Sequence, residues 1–146
     1  MPAFSKKSLE RLHTCNIDLV TIFNEVIKVF DCTVSEGYRG EKAQNEAFDK
    51  GFSKVRYPNG NHNTNPSNAV DVYPYPVNLH PDSQKEKELY IQRMCYFAGW
   101  VMGIADNLYK QKRVSHRLKW GSDWDGDNEL SDHSFRDYPH FELIKP

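Results

Sequence analysis

His62, Asp71 and His140 are the residues of this chain whose types and settings best suit metal chemistry. Two imidazoles and one carboxylate hold a zinc-type ion through three protein atoms. The fourth tetrahedral position is left to water, whose pKa the metal lowers to about 7. Hydrolysis at such a centre also needs a base to take the water's proton and pass it to a departing amine. Asp137 stands three residues before His140, and Pro139 favours an extended Tyr138, an approach that brings this carboxylate toward the metal water. Arg39, shortly after Gly37, suits the binding of a carboxylate or of a developing oxyanion.

These residues need elements to bring them together. In Ala69-Val70-Asp71-Val72-Tyr73, strand periodicity sends Val70 and Val72 to one face and Asp71 to the other. In His140-Phe141-Glu142-Leu143, Phe141 and Leu143 turn inward while His140 and Glu142 share the opposite face. If the two strands are neighbours, Asp71 and His140 converge, and His62 reaches them from an Asn-, Pro- and Gly-rich loop, Ser53 to Ser67. Further strands are expected at Cys32 to Tyr38 and Arg117 to Trp120. Helices are expected over Ser8 to Thr14, Asn16 to Phe30, Glu41 to Lys50 and Ser83 to Lys110. Asn16 is the N-cap of the second helix, and Gly51 the C-terminal stop of the third. Val20, Phe23, Ile27 and Phe30 form one apolar stripe; Leu89, Met94, Phe97, Val101, Ile104 and Leu108 form the spine of the long helix. The pattern is α+β, a small antiparallel sheet packed against helices.

The chain of 146 residues fits one domain spanning 1–146, with no internal repeat. Its net charge of -1 supplies no field for nucleic acid. The basic groups Lys6, Lys7 and Arg11, and Lys110, Lys112 and Arg113, read as solvated helix faces. No stretch approaches the roughly 18 to 20 apolar residues of a membrane span, and Met1 to Leu12 is too charged for an export signal. Cys15, Cys32 and Cys95 read as reduced, mostly buried thiols, with no base beside them in the sequence to make one a nucleophile.

Several residues carry other readings. The acidic run Asp123 to Glu129 suggests calcium as a minor alternative. It departs from the EF-hand template, because Gly126 falls at loop position four and Ser134 stands where the bidentate Glu belongs. His133 beside Asp132 is a spare ligand, a substrate contact or an exposed polar residue. Glu142 either orients a ligand from behind or is simply exposed. Trp120 and Trp124 read as core or cleft wall, and His13, His80 and His116 as structural or solvated, without acidic partners nearby in the sequence.

Four segments stand in order along the chain: Gly37-Tyr38-Arg39-Gly40 with Gln44; His62 through Ala69-Val70-Asp71; Trp120-Gly121-Ser122-Asp123-Trp124; and Asp137 through His140 to Leu143. Together they resemble the zinc D-Ala-D-Ala carboxypeptidase and L-alanyl-D-glutamate endopeptidase family, with its Hedgehog/DD-peptidase-like fold and its small phage endolysins. The resemblance runs from about Leu9 to Leu143. It implies one Zn2+ on His62, Asp71 and His140, Asp137 as base, and Arg39 as an aid to the transition state. The implied activity is cleavage of the peptide stem of bacterial peptidoglycan, as an endopeptidase at L-Ala-D-Glu or, alternatively, as a carboxypeptidase at terminal D-Ala. A non-catalytic zinc-containing module and a metal nuclease compete with these. Asp137 argues against the first and the missing basic patch against the second. The resemblance also implies a monomer in the cytoplasm of a phage-infected cell, without a separate wall-binding domain. Two departures stand out: Asn59-Gly60-Asn61 where relatives often carry Ser, and Ser122 where a second Gly is common.

Overall fold

The computed structural model describes residues 2–131 and 136–145. The chain runs through helices α1 (Lys6–Leu12) and α2 (Ile17–Val26), strand β1 (Cys32–Glu36), helix α3 (Glu41–Asp49), strand β2 (Ala69–Pro74), helix α4 (Gln84–Lys110), and strands β3 (Leu118–Trp120) and β4 (His140–Leu143). A single 3-10 turn, Asn61–Asn63, interrupts the long loop before β2.

Helices α1, α2 and α4 start on side-chain caps, whereas α3 starts at Gly40 without one. Ser5, Asn16 and Ser83 accept hydrogen bonds from the backbone N–H of Ser8, Asp18 and Glu86, satisfying donors that have no partner within a helix's first turn. The first helix therefore begins earlier than the expected Ser8, and Ser8 is used otherwise: its hydroxyl accepts from Val34 N on β1 at 3.1 Å. Helix α2 stops at Val26, short of Phe30, and Lys28 and Val29 close the end with tighter bonds to Glu25 and Val26. The branched run Val26, Ile27 and Val29 disfavours a further full turn. Gly51, at φ +79°, ends the turn after α3 as expected.

The four strands form one antiparallel sheet in the order β1-β2-β4-β3. The two strands that carry Asp71 and His140 are thus the central pair. One face of the sheet is apolar and dry: Val34, Val70, Val72, Phe141 and Leu143 pack on α2 and α4 through Leu19, Phe23, Val26, Phe97 and Val101. Phe23 and Phe97 both meet the Phe141 ring edge-on, at 5.6 and 6.3 Å between centroids. Of the expected spine of α4, Met94, Phe97, Val101 and Leu108 are buried and Ile104 partly so. Leu89 is 53% exposed, because burial along the helix begins only at Met94. No helix among the described residues is long and apolar enough to cross a membrane.

The other face of the sheet is left for chemistry. Between Val34 and Glu36 the β1 register slips by one residue, so Glu36 pairs with Asp71 where regular pleating would turn it inward.

Candidate metal centre and its cleft

Asp71 and His140 are directly opposed across β2 and β4. His62 arrives on the 3-10 turn, which is tied to its surroundings by backbone bonds from Arg39 N to His62 O and from Asn68 N to Asn61 O. The three ligand atoms meet: His62 Nε2 lies 3.2 Å from His140 Nδ1, and each lies 3.3 Å from Asp71 Oδ1. Both histidines are buried.

The outer ring nitrogens decide what faces inward. His62 Nδ1 lies 2.8 Å from the Gly37 carbonyl, which can only accept, and His140 Nε2 lies 2.8 Å from the Glu142 carboxylate. Protons assigned to those outer nitrogens leave two imidazole lone pairs and a carboxylate oxygen pointing at one another. Asp71 Oδ1 is buried without a hydrogen-bond partner. Three converging acceptors of this kind repel unless a cation sits among them, so the donor set fits a divalent ion. Burial opposes charge here, yet Asp71 and Glu142 push the His140 imidazole up to about 10, and the two histidines hold the Asp71 carboxyl far below the usual range.

Asp137 lies beside this cluster, its Oδ2 3.8 Å from His140 Nδ1. Burial first, then the Asp71 charge, push its carboxyl up to about 6. Gly121 sets the spacing. Its N–H donates to His140 O at 2.8 Å and its carbonyl accepts from Asp137 N at 2.7 Å. A Cβ there would stand 2.1 Å from Asp137 O and 2.9 Å from His140 Cβ, so the approach requires glycine.

Arg39 is held from three sides. Its Nε and Nη2 donate to the two Glu36 oxygens at 2.6 and 3.2 Å, Nη1 donates to Gln44 Oε1 at 3.1 Å, and Nη2 sits 3.6 Å from Asp71 Oδ2. Gln44, almost wholly buried, is the hub of this corner. Its carbonyl accepts from Arg39 and Asn63, and its amide donates to Ser53 Oγ and Val55 O, fixing the long loop.

Spacing alone had left Glu142 undecided, and it proves to bridge both histidine-bearing segments. One oxygen meets His140, and the other accepts from Asn61 Nδ2 at 2.5 Å. The Asn61 amide is thereby engaged inside the protein. Its partnership with Glu142, 81 residues away, had no sequence signal, and neither did Glu36's grip on Arg39 across a register slip. Trp120 is core, donating from its indole N–H to Tyr138 O. The Trp124 ring lies 5.7 Å from that of His140 and walls the cleft. Ser122 is fully buried and takes no part in lining the cleft. Over the cluster lies a hollow of about 340 Å³, bordered by Arg39, Trp124, Asp137 and Glu142. A second, of about 770 Å³, continues past Arg39 and Asp137 toward Tyr73 and Tyr90.

Other expectations resolve as follows. The buried Asp123 and the exposed Asp125 and Asp127 bring carboxylate oxygens within 4.8 Å of one another. Asp132, His133 and Ser134 lie outside the described residues. His13 and His80 are exposed. His116 is structural: its Nδ1 lies 2.7 Å from Asp18 Oδ2, an acidic partner that sequence spacing could not reveal. Burial pushes the Cys15 and Cys32 thiols up to about 12, as inert buried sulfurs.

Residues 2–144 match the family described as phage L-alanyl-D-glutamate peptidase. The chain belongs to that family. Among solved structures, this family member is similar to the Serratia marcescens L-Ala D-Glu endopeptidase ChiX, with a TM-score of 0.66 and 22% identity. The likeness covers 98% of this chain and 91% of the other, and it shows a shared fold. No curated protein sequence matches this peptidase-family chain.

Proposed function

We propose that this peptidase cleaves the L-alanyl-D-glutamate bond of the peptidoglycan stem with one zinc ion held by His62, Asp71 and His140. Membership of the phage L-alanyl-D-glutamate peptidase family supports the substrate. The observation that supports the metal is the convergence of three acceptor atoms within 3.3 Å, one of them a buried carboxylate oxygen without a hydrogen bond. Bound there, zinc would supply Lewis-acid polarisation of the scissile carbonyl and a water acidic enough to attack near neutral pH.

The chain's own residues do the rest. Gly37 O and Glu142 fix both imidazole tautomers and ring orientations. Asp137, lifted toward neutrality by burial, accepts the proton of the attacking water and returns it to the departing amine nitrogen. Arg39, clamped by Glu36 and Gln44, keeps a fixed positive charge at the cleft beside Asp71, where it steadies negative charge on the substrate. Trp124 excludes water from one side of the cluster.

Digestion of purified peptidoglycan, followed by mass spectrometry of the new termini with and without a chelator, tests this reading. New D-glutamyl amino termini that vanish with chelator are expected. Release of terminal D-Ala instead moves the assignment to the carboxypeptidase. No cleavage at all overturns it.

A further inference from the structure

Arg39, Phe52 and Asp137 border both hollows, so a peptide lying across Asp137 reaches into each. The two sides differ in chemistry. Beyond the histidines, the first is walled by Val55 and Trp124, and its one lysine, Lys54, already has a partner. The second presents Lys50, Arg136 and the phenols of Tyr73 and Tyr90. Tyr73 sits two residues after Asp71 on the same face of β2, next to the catalytic cluster.

This second side carries both signs, with Arg39, Lys50 and Arg136 against Glu36, Glu46, Asp71 and Asp137. Arg39 engages Glu36 and Asp71, which leaves Glu46 and the base Asp137 opposite the two cations Lys50 and Arg136. Arg136 donates one N–H to Leu130 O at 2.6 Å. Among the described residues, the Lys50 ammonium and the Tyr73 and Tyr90 hydroxyls have no hydrogen-bond or ion-pair partner. All three are donors at neutral pH.

An L-alanyl-D-glutamyl bond is itself polarised in this way. The residue on the carbonyl side has only a methyl side chain. The amine side carries a carboxylate on the carbon that bears the departing nitrogen. We propose that the glutamyl half lies in the hollow of Lys50, Tyr73 and Tyr90, with its α-carboxylate held by the ammonium and the phenol O–H groups, and that the alanyl half lies against Val55 and Trp124. This orientation rests on the substrate proposed above. It makes Lys50, Tyr73 and Tyr90 specificity residues, placed on the leaving-amine side of Asp137.

The test pairs two synthetic muropeptides that differ only at the glutamyl α-carboxyl, free acid in one and primary amide in the other. Wild-type zinc enzyme should show a KM about tenfold lower for the acid, as charge-assisted hydrogen bonds imply. In Lys50→Gln and Tyr73→Phe that ratio should fall toward one, with melting temperature and zinc content held as controls. Titration calorimetry with the glutamyl product peptide should lose affinity in the same variants. A wild-type enzyme indifferent to amidation, or a ratio that survives both substitutions, overturns the orientation while leaving the peptidase reading intact. Cleavage of neither substrate sinks both.

Discussion

Glu142→Gln is the change that most sharply separates a working metal site from a coincidental cluster. In the native protein one Glu142 oxygen takes the outer N–H of His140 at 2.8 Å, and the other takes the Asn61 amide at 2.5 Å. A glutamine keeps the shape but has a single acceptor, so it satisfies one partner and turns an N–H toward the other. It also removes the negative charge that raises the basicity of His140. Losing such a partner behind a metal-binding histidine typically costs 10–100-fold in metal affinity, or about 1.4–2.7 kcal/mol. Zinc affinity is read by competition with a chromophoric chelator at pH 7.5, with circular dichroism to verify the fold. Glu142→Gln should bind zinc at least about tenfold more weakly than wild type. An affinity within about twofold of wild type would refute the reasoning, since that lies below any loss expected for such a partner.

Asp137→Asn should retain zinc and lower kcat by about 10²–10⁴, measured by muropeptide release; unchanged turnover removes Asp137 from the chemistry. Gly121→Ala should separate Asp137 from His140, costing about 1–3 kcal/mol of stability by denaturant titration and most of the activity. Asp18→Ala should cost about 2 kcal/mol, because Asp18 Oδ2 accepts from Ser115 N, Ser115 Oγ, His116 N and His116 Nδ1 within 3.1 Å. Burial opposes the Asp18 charge, but these bonds, His116 first, hold the carboxyl below its ordinary range. Its contribution is therefore complete above the unfolded value of about 3.9 and is lost as pH falls through the lower folded value. The deficit of Asp18→Ala should be full at pH 7 and shrink toward pH 3.

Period-2 alternation made the two central strands readable. Val70 and Val72 around Asp71, and Phe141 and Leu143 beside His140, each mark a strand with a dry face and a chemical one. The juxtaposition of Asp71 and His140 followed once those strands were taken as neighbours. His62 sits in a loop, where no periodicity speaks, and its placement depends on Asn63, Gln44 and Gly37, whose contacts are tertiary. Glu36 was hidden for a different reason. A register slip in β1 turned it to the face that regular pleating would deny it, and this is what engages Arg39. Leu89 shows the limit of helical periodicity: the apolar stripe of α4 begins a turn before Met94, where burial starts. The Asp18–His116 pair joins positions 98 apart, and only the packing of α2 beside the end of α4 reveals it.

Crystals of the zinc-loaded protein, measured on both sides of the zinc absorption edge, would place the ion without reference to activity. The expected map has one strong anomalous peak per chain, bounded by His62 Nε2, Asp71 Oδ1 and His140 Nδ1 at about 2.0–2.2 Å each. A protein that takes up zinc with its only peak elsewhere, such as among Asp123, Asp125 and Asp127, contradicts the assignment.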